Sequence, residues 1–300
     1  MAGEIAALVR AATSGRQPAQ PGGGFVLAGL LGRGIQASRS PAMHEREAAR
    51  LGLGCAYILL DFDSLGLPDA ALPALLAAAA AAGFQGVNVT HPFKQQILPH
   101  LDAVAPEAAA IGAVNTVVFA EGRATGHNTD CWGFAESFRL GMAGVPLGCV
   151  VQFGAGGAGA AVAQALVQLG VRDLVLIDSD AARAQTLAAR MAAAGAPVRA
   201  VATAAAARAA ADGIVNTTPV GMDKYPGLPF PAALLQPHHW VADIIYFPAE
   251  TELLQRAAAL GCRCLPGAGM AVGQAVRAFE LFTGHKSDMQ AMAGHFGAAA

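Results

Sequence analysis

The chain has 300 residues, of which 54% are hydrophobic and 13% charged, and its formal net charge is −2 at pH 7. That balance excludes a disordered chain and is typical of a globular protein with a large buried core. A chain of this charge lacks the basic footprint of a nucleic-acid-binding protein. Its length suffices for two domains of modest size.

Nothing in the sequence predicts a membrane anchor, a secretory signal or a metal site. The longest apolar run, residues 70–82, contains Pro73 and is shorter than the roughly 20 residues that a bilayer-spanning helix needs. Five irregularly spaced cysteines favour free thiols over disulfides. Cys262 and Cys264 have no matching pair, so we predict buried thiols without metal. We therefore expect a cytoplasmic protein, monomeric or homodimeric, with a small-molecule substrate and neither nucleic-acid nor membrane partners.

The first half of the chain alternates predicted strands and helices. Residues 1–24 end in a Pro- and Gly-rich stretch and are predicted to form a flexible tail. The elements predicted after it are strands at 25–30, 55–61 and 84–89, helices at 40–51, 65–82, 92–98 and 103–111, and a hairpin of 113–119 with 123–126. The βαβαβ order predicts a parallel sheet covered by helices.

A second βαβ series follows a helix that is predicted to start at Asp130. Its predicted strands are 149–153, 173–177, 198–201, 213–216, 240–245 and 263–265; helices are predicted at 202–211, 270–282 and 286–296. The whole chain is thus predicted to be an α/β protein of two domains, one of them Rossmann-like.

A glycine-rich turn is the strongest functional signal. Gly154, Gly156 and Gly159 have the spacing G-x-G-x-x-G, directly after the apolar strand 149–153 and before an Ala-rich helical segment. Such glycines let backbone N–H groups approach a pyrophosphate at a helix N-terminus. Asp178 ends the next predicted strand, about 20 residues on, where an acidic residue binds the ribose hydroxyls of a dinucleotide.

Two polar clusters follow the first and third predicted strands. Ser38 and Ser40 flank one residue before Pro41, so Ser40 is predicted to cap a helix, whereas a cap does not explain Ser38. Lys94 is predicted on the first turn of the helix 92–98, where the helix dipole would lower its pKa and suit it to act as a general base. A solvated surface lysine is the alternative interpretation.

Three further polar residues interrupt apolar segments. Asn115 lies in an apolar strand, where its amide needs a protein or ligand partner. Asp130 either caps the following helix or takes part in chemistry. Gln274 projects from an apolar helix and either recognises a hydroxyl or bonds to backbone. His127, by contrast, lies in a loop and is interpreted as solvated.

Seven motifs in this order resemble the shikimate dehydrogenase family, most closely its NAD-preferring quinate/shikimate branch. The motifs are S-R-S-P (38–41), N-V-T-H-P-F-K (88–94), G-A-V-N-T (112–116), H-N-T-D (127–130), G-A-G-G-A-G (154–159), N-T-T-P-V-G-M (216–222) and G-M-A-V-G-Q-A (269–275). The resemblance runs from about Phe25 to the C-terminus. It implies a substrate-binding domain of residues 25–130 with about 270–300, and an NAD-binding Rossmann-like domain of residues 131–269.

The resemblance also implies the activity and the residue roles. The family transfers a hydride reversibly between NAD(P) and a hydroxyl-bearing ring carbon of shikimate, giving 3-dehydroshikimate. Lys94 and Asp130 would form the catalytic pair. The residues expected to bind substrate are Ser38, Ser40, Asn88, Thr90, Asn115, Tyr246 and Gln274. Those expected to bind the cofactor are Gly154, Ala155, Gly156, Gly157, Ala158, Gly159, Asp178, Arg183, Thr217, Pro219, Ile244 and Gly267.

The residues after the second Rossmann strand favour NAD over NADP. Asp178 and Asp180 would repel the 2′-phosphate of NADP, while Arg183 could turn toward it. Ser40 matches shikimate-specific relatives, whereas quinate-users often have Thr there. We expect an NAD-dependent shikimate dehydrogenase with quinate as a further candidate substrate; the alternatives are an aminoshikimate or quinate analogue as substrate, or a dinucleotide- or ligand-sensing module without turnover.

Overall fold

The structure is a computed structural model that describes residues 2–15, 24–203 and 211–297. The chain forms two compact units, Met1–Thr129 with Ala275–Ala300, and Asp130–Gln274. Each unit is built on its own six-stranded sheet, as the predicted two-domain α/β fold requires. The substrate- and cofactor-binding roles assigned to the two parts of the chain stay predictions.

The sheet of the first unit is mixed. Its strands are β1 (Phe25–Gly32), β2 (Gly54–Asp61), β3 (Gly86–Val89), β4 (Ala103–Val104), β5 (Thr116–Ala120) and β6 (Arg123–His127), in the spatial order β2-β1-β3-β5-β6-β4. β1 pairs in parallel with both β2 and β3, whereas β5 is antiparallel to β3 and to β6. The start of β5 therefore lies beside the carboxyl end of β3.

The sheet of the second unit is entirely parallel. Its strands are β7 (Cys149–Phe153), β8 (Asp173–Ile177), β9 (Val198–Ala200), β10 (Gly213–Asn216), β11 (Trp240–Asp243) and β12 (Arg263–Leu265). The spatial order β9-β8-β7-β10-β11-β12 is that of a doubly wound dinucleotide-binding sheet. The strand order reverses between β7 and β10, and ligands bind such sheets outside the carboxyl ends of the strands at that point.

Ten α-helices lie within the described residues. They are α1 (Ala2–Thr13), α2 (Ser40–Arg50), α3 (Leu72–Ala81), α4 (Pro106–Ile111), α5 (Thr129–Gly141), α6 (Gly157–Gln168), α7 (Ala181–Ala193), α8 (Glu252–Ala259), α9 (Ala268–Thr283) and α10 (Met289–Gly297). None of them is long and apolar enough to cross a bilayer. All five cysteines are free thiols, and Cys262 is buried.

The prediction of a flexible tail over residues 1–24 is wrong for its first part. Residues 2–13 form α1, which presents Ile5 and Val9 to the core of the first unit with 1% and 0% exposure. Two apolar residues four positions apart share one helix face, and burying that face stabilises a short helix. The Pro- and Gly-rich part of the tail, residues 16–23, lies outside the described residues.

The helix predicted over residues 92–98 does not form. The segment is a series of turns, and the carbonyl oxygen of Lys94 accepts from the N–H of Val114 at 2.8 Å. In a continuous helix, that oxygen would accept from Leu98, whose N–H instead reaches Gln95 at 3.3 Å. Lys94 therefore does not lie at a helix N-terminus, and the predicted placement of its amine on a helix dipole is wrong.

Two other predicted helices are shorter than expected. Helix α3 starts at Leu72 instead of residue 65, after Pro68 and a short 3₁₀ turn. In place of a helix over 103–111, β4 is followed by α4, which begins at Pro106 because proline fits the first turn of a helix. The helix predicted over 202–211 falls mostly on residues 204–210, which lie outside the described residues.

Shortening one α1 side chain tests the packing of that helix. Ile5→Ala should lower the free energy of unfolding by about 2–4 kcal/mol, because it removes buried methyl groups and leaves a cavity. Leu8→Ala, on the same helix but 37% exposed, should cost less than about 1 kcal/mol. Urea unfolding followed by circular dichroism measures both. Equal, small losses would show that α1 does not pack on the core in solution.

Candidate active site

In the first unit, the candidate substrate-binding residues lie at the carboxyl edge of the sheet. Ser38 follows β1, and the N–H of Thr90, which follows β3, bonds the carbonyl of Leu31 at 2.9 Å. The N–H of Arg33 reaches the carbonyl of His91 at 3.1 Å. These bonds join the loops after the two neighbouring strands, because parallel strands end at the same edge.

Ser40 is not the helix cap that the sequence predicts. It is the first residue of α2, and Ser38 Oγ accepts its backbone N–H at 3.2 Å. Arg39 occupies the cap position without a side-chain cap bond. Because Ser38 takes over the capping contact, the Ser40 hydroxyl is free to bond elsewhere.

Tyr57, which the sequence analysis missed, links two of the candidate residues. Its side chain is hydrogen-bonded by Ser40, and its hydroxyl donates to Asn88 Oδ1 at 2.7 Å. Burial raises the pKa of Tyr57, so the phenol stays protonated and remains a donor. The sequence of β2 gives no sign of this role, because a tyrosine in an apolar strand is typical of an ordinary buried residue.

The buried amides of Asn88 and Asn115 have protein partners. Asn88 Nδ2 donates to Thr116 Oγ1 at 2.9 Å, and Asn115 Nδ2 donates to Thr129 Oγ1 at 2.9 Å. Asn115 Oδ1 accepts from the N–H of Thr129 at 2.7 Å. The predicted partner of the Asn115 amide is therefore a protein residue, Thr129.

The proposed catalytic residues belong to different units of the chain. Lys94 is half-buried in the turns after β3. Asp130 is 5% exposed on the first turn of α5. His127, interpreted from the sequence as solvated, contacts Glu107 instead, with 3.1 Å between Nδ1 and Oε1.

In the second unit, the glycine-rich turn joins β7 to α6 with very close backbone packing. Gly154 has φ +100°, and a Cβ atom there would lie 2.6 Å from Thr217 Oγ1. A Cβ on Gly159 would collide with the carbonyl oxygen of Gly154. Gly156, in contrast, faces open space and caps α6 without a side-chain bond. The first N–H groups of α6, at Gly157 and beyond, therefore meet no capping side chain.

Asp178 has two roles at the end of β8. Its Oδ2 accepts from the N–H of Ala155 at 2.7 Å, which fixes the glycine-rich turn, and its Oδ1 accepts from the N–H of Asp180 at 2.9 Å. The Arg183 guanidinium lies 3.5 Å from the carboxylate of Asp178 and 3.5 Å from that of Asp180. Both carboxylate oxygens of Asp178 therefore already accept a backbone N–H.

Gln152 is a second residue that the sequence analysis missed. It is fully buried in β7, and its Nε2 donates to the carbonyl oxygens of Gly154 and Gly159 at 2.8 Å each. Thr217 adds a hydroxyl contact to the Gly154 carbonyl at 2.9 Å. Both ends of the glycine-rich turn are therefore held by side chains. A glutamine inside an otherwise apolar strand is the one signal that could have revealed this role.

Asp243, at the end of β11, was also missed. It is 2% exposed and hydrogen-bonds Asn216, Ile245 and Thr251. Burial raises the pKa of its carboxyl to about 6, because the three hydrogen bonds offset only part of the lost hydration.

The remaining candidate residues of the second unit lie in the segments after β10, β11 and β12 and on α9. Pro219 is exposed in the first loop, and Tyr246 is 46% exposed in the second. A Cβ on Gly267 would collide with the carbonyl oxygen of Ile244, so these segments pack backbone to backbone. Gln274 Nε2 bonds the carbonyl of Ala271 at 2.9 Å, which is the backbone contact that its sequence position left open.

Comparison with known proteins shows that the chain belongs to the shikimate dehydrogenase family. Residues 30–117 match the family model of the shikimate dehydrogenase substrate binding domain, and residues 267–293 match that of the shikimate 5′-dehydrogenase C-terminal domain. A shikimate dehydrogenase (NADP(+)) of Streptomyces avermitilis is 53% identical over 89% of this chain and 93% of its own. A quinate/shikimate dehydrogenase (NAD(+)) of Corynebacterium efficiens is 48% identical over 90% of this chain and 97% of its own.

Solved structures show the same fold. Quinate dehydrogenase from Corynebacterium glutamicum in complex with NAD superposes with a TM-score of 0.85 at 46% identity, covering 91% of this chain and 99% of that one. A 5-ketofructose reductase of a Gluconobacter strain superposes with a TM-score of 0.80 at 32% identity, covering 92% and 99%. The fold therefore serves more than one substrate, and specificity depends on individual side chains.

Removing the Tyr57 hydroxyl tests the link between Ser40 and Asn88. Tyr57→Phe should lower the free energy of unfolding by about 1–3 kcal/mol, because the buried Asn88 Oδ1 loses its donor. Tyr225→Phe, at a side chain that is 47% exposed, should change it by less than about 0.5 kcal/mol. Urea unfolding at neutral pH compares the two variants. A Tyr57→Phe protein as stable as the wild type would contradict the buried bond.

Proposed function

We propose that the protein is an NAD-dependent shikimate dehydrogenase, which oxidises shikimate reversibly to 3-dehydroshikimate and also accepts quinate. The observation that carries the proposal is the glycine-rich turn at the switch point of a doubly wound sheet, in a chain whose other unit groups hydroxyl- and amide-bearing side chains at a sheet edge. Its membership of the shikimate dehydrogenase family supports this reading.

The residues of the second unit fit a nicotinamide dinucleotide. The open space at Gly156 and the uncapped start of α6 suit a pyrophosphate, which is stabilised by backbone N–H groups and the helix dipole. Thr217, Pro219, Ile244 and Gly267 belong to the segments at the carboxyl ends of β10, β11 and β12, where the rest of the cofactor would be held. When bound, the cofactor supplies the hydride acceptor.

Proton transfer is assigned to Lys94 and Asp130. The amine of Lys94 takes the proton from the reacting hydroxyl during oxidation and returns it during reduction. Asp130 is assigned as the second member of the catalytic pair. In this proposal Ser38 and Ser40 bind the substrate carboxylate, and Tyr246 is a further substrate-binding residue. Hydroxyl recognition is assigned to Asn88, Thr90, Asn115 and Gln274.

The preference for NAD rests on charge. Two carboxylates, at Asp178 and Asp180, share one guanidinium at Arg183, so the local charge is negative where NADP would place its 2′-phosphate. Relatives named for either cofactor are similarly close to this chain, so family membership does not decide the preference. A cytoplasmic location and a monomeric or dimeric state stay predictions.

Quinate is the second candidate substrate. One structural relative in complex with NAD is a quinate dehydrogenase, and the Corynebacterium efficiens relative is named for both substrates. Ser40 favours shikimate. Steady-state rates with shikimate and quinate, each with NAD and NADP, rank the four combinations. Turnover of neither substrate, with the dinucleotide still bound, would favour the sensing module.

Replacing Lys94 tests the assigned proton transfer. Lys94→Ala should lower kcat for shikimate oxidation by about 10²–10⁴, because the general base is removed. The dissociation constant of NAD, measured by titration, should stay within about twofold, a difference well below the 1.4 kcal/mol of a tenfold change. Lys286→Ala is the matched control, since its side chain is 89% exposed. Unchanged kcat in Lys94→Ala would contradict the assigned role.

Replacing Asp180 tests the cofactor preference. The wild type should use NAD with a kcat/KM at least about tenfold above that for NADP, which corresponds to one unfavourable charge contact. Asp180→Ser should narrow this ratio by raising kcat/KM for NADP. The serine can still cap α7, and Asp178 still holds the glycine-rich turn. Initial rates with both cofactors measure it. A wild type that favours NADP refutes the assignment.

A further inference from the structure

Asp243 accepts hydrogen bonds from three different segments of the second unit. Its Oδ1 accepts from Asn216 Nδ2 and from the N–H of Ile245, both at 3.0 Å. Its Oδ2 accepts from Thr251 Oγ1 at 2.8 Å. The carboxylate therefore ties the ends of β10 and β11 to the residue that caps α8.

Asn216 extends this contact into the loop after β10. Its Nδ2 also donates to the carbonyl of Val220 at 3.0 Å, and its Oδ1 accepts from the N–H and the hydroxyl of Thr218 at 3.0 and 2.7 Å. All four hydrogen-bonding positions of the amide are engaged. The loop that contains Thr217 and Pro219 is thus held in one conformation.

Ile245 extends the contact into the loop after β11. Its N–H bonds the Asp243 carboxylate, which closes a tight turn through Ile244, and its carbonyl accepts from the N–H of Gly267 at 3.3 Å. Tyr246 follows directly. One side chain therefore fixes both loops on which the proposed function depends.

The cost of burying this group argues for a role beyond packing. A buried carboxylate whose partners are all neutral loses hydration that they do not fully replace, which is why its pKa is raised. An apolar residue of similar size would avoid this cost but would leave the three donors without an acceptor. A buried polar group whose hydrogen bonds are satisfied rigidifies the segments that it joins.

We propose that Asp243 is a positioning residue for the dinucleotide, which sets the loops after β10 and β11 in the conformation that binds the cofactor. Its action passes through Asn216 and Ile245 and involves no contact with the reacting atoms. The proposal rests on the proposed function, since it assigns a role within the same cofactor site.

Titration of the full-length protein with NAD tests the proposal. Asp243→Ala should raise the dissociation constant about tenfold or more, the effect of losing roughly one net hydrogen bond in loop positioning. Asp243→Asn should restore it to within about threefold, because its Oδ1 still accepts from Asn216 and Ile245. Asp243→Ala binding as tightly as the wild type, or Asp243→Asn binding as weakly as Asp243→Ala, overturns the proposal.

A matched variant separates positioning from general stability. Asp61 is also a buried carboxylate, 1% exposed, and it bonds the N–H groups of Gly34 and Ile35 in the first unit. Asp61→Ala should lower the melting temperature yet leave the dissociation constant of NAD within about twofold. An equal weakening of NAD binding by Asp61→Ala overturns the proposal.

Variants of Thr251 test the proposal if Asp243→Ala fails to fold. Thr251→Val has the same shape and removes only the donor to Asp243 Oδ2 and the cap of α8. It should raise the dissociation constant about threefold, while Thr251→Ser stays at the wild-type value. Equal binding by both refutes the proposal. A wild type that binds neither NAD nor NADP refutes the proposed function instead.

Discussion

The close approach of Gly154 to Thr217 is the constraint on which the second unit depends. These residues follow β7 and β10, the two strands between which the sheet order reverses. A side chain on Gly154 would meet both the hydroxyl and the backbone of Thr217. Only glycine lets the two strand ends come together, and that contact defines the place where a dinucleotide lies in sheets of this order.

Buried polar side chains hold the surrounding loops in place. Gln152 joins the two ends of the glycine-rich turn, Asp178 pulls the turn toward β8, and Asp243 holds the loops after β10 and β11. In the first unit Tyr57 does the same for Ser40 and Asn88. In both units, the loops proposed to recognise polar ligands are fixed by residues that a ligand need not touch, which is how binding sites are preorganised.

The sequence predicted the elements whose signals are local. Short apolar runs predicted both ends of β7, β8 and β10 correctly. A hairpin was predicted with residues 120–122 as its turn. The hairpin forms, but Ala120 belongs to β5, and Glu121 and Gly122 alone form the turn, both with positive φ. The prediction failed where distant partners compete for backbone groups. Residues 92–98 are not a helix because Val114 takes the Lys94 carbonyl, and α1 is ordered because the core covers Ile5.

The sequence by itself determined the fold class, the position of the glycine-rich turn and the motifs of the family, because each depends on residues close together in the chain. Only the tertiary structure decided which side chains support those motifs. Tyr57, Gln152 and Asp243 lie within apolar strands, and their partners are 31, 7 and 27 residues away at the farthest. Local periodicity records whether a residue is buried, whereas a hydrogen bond depends on which strands the fold places side by side.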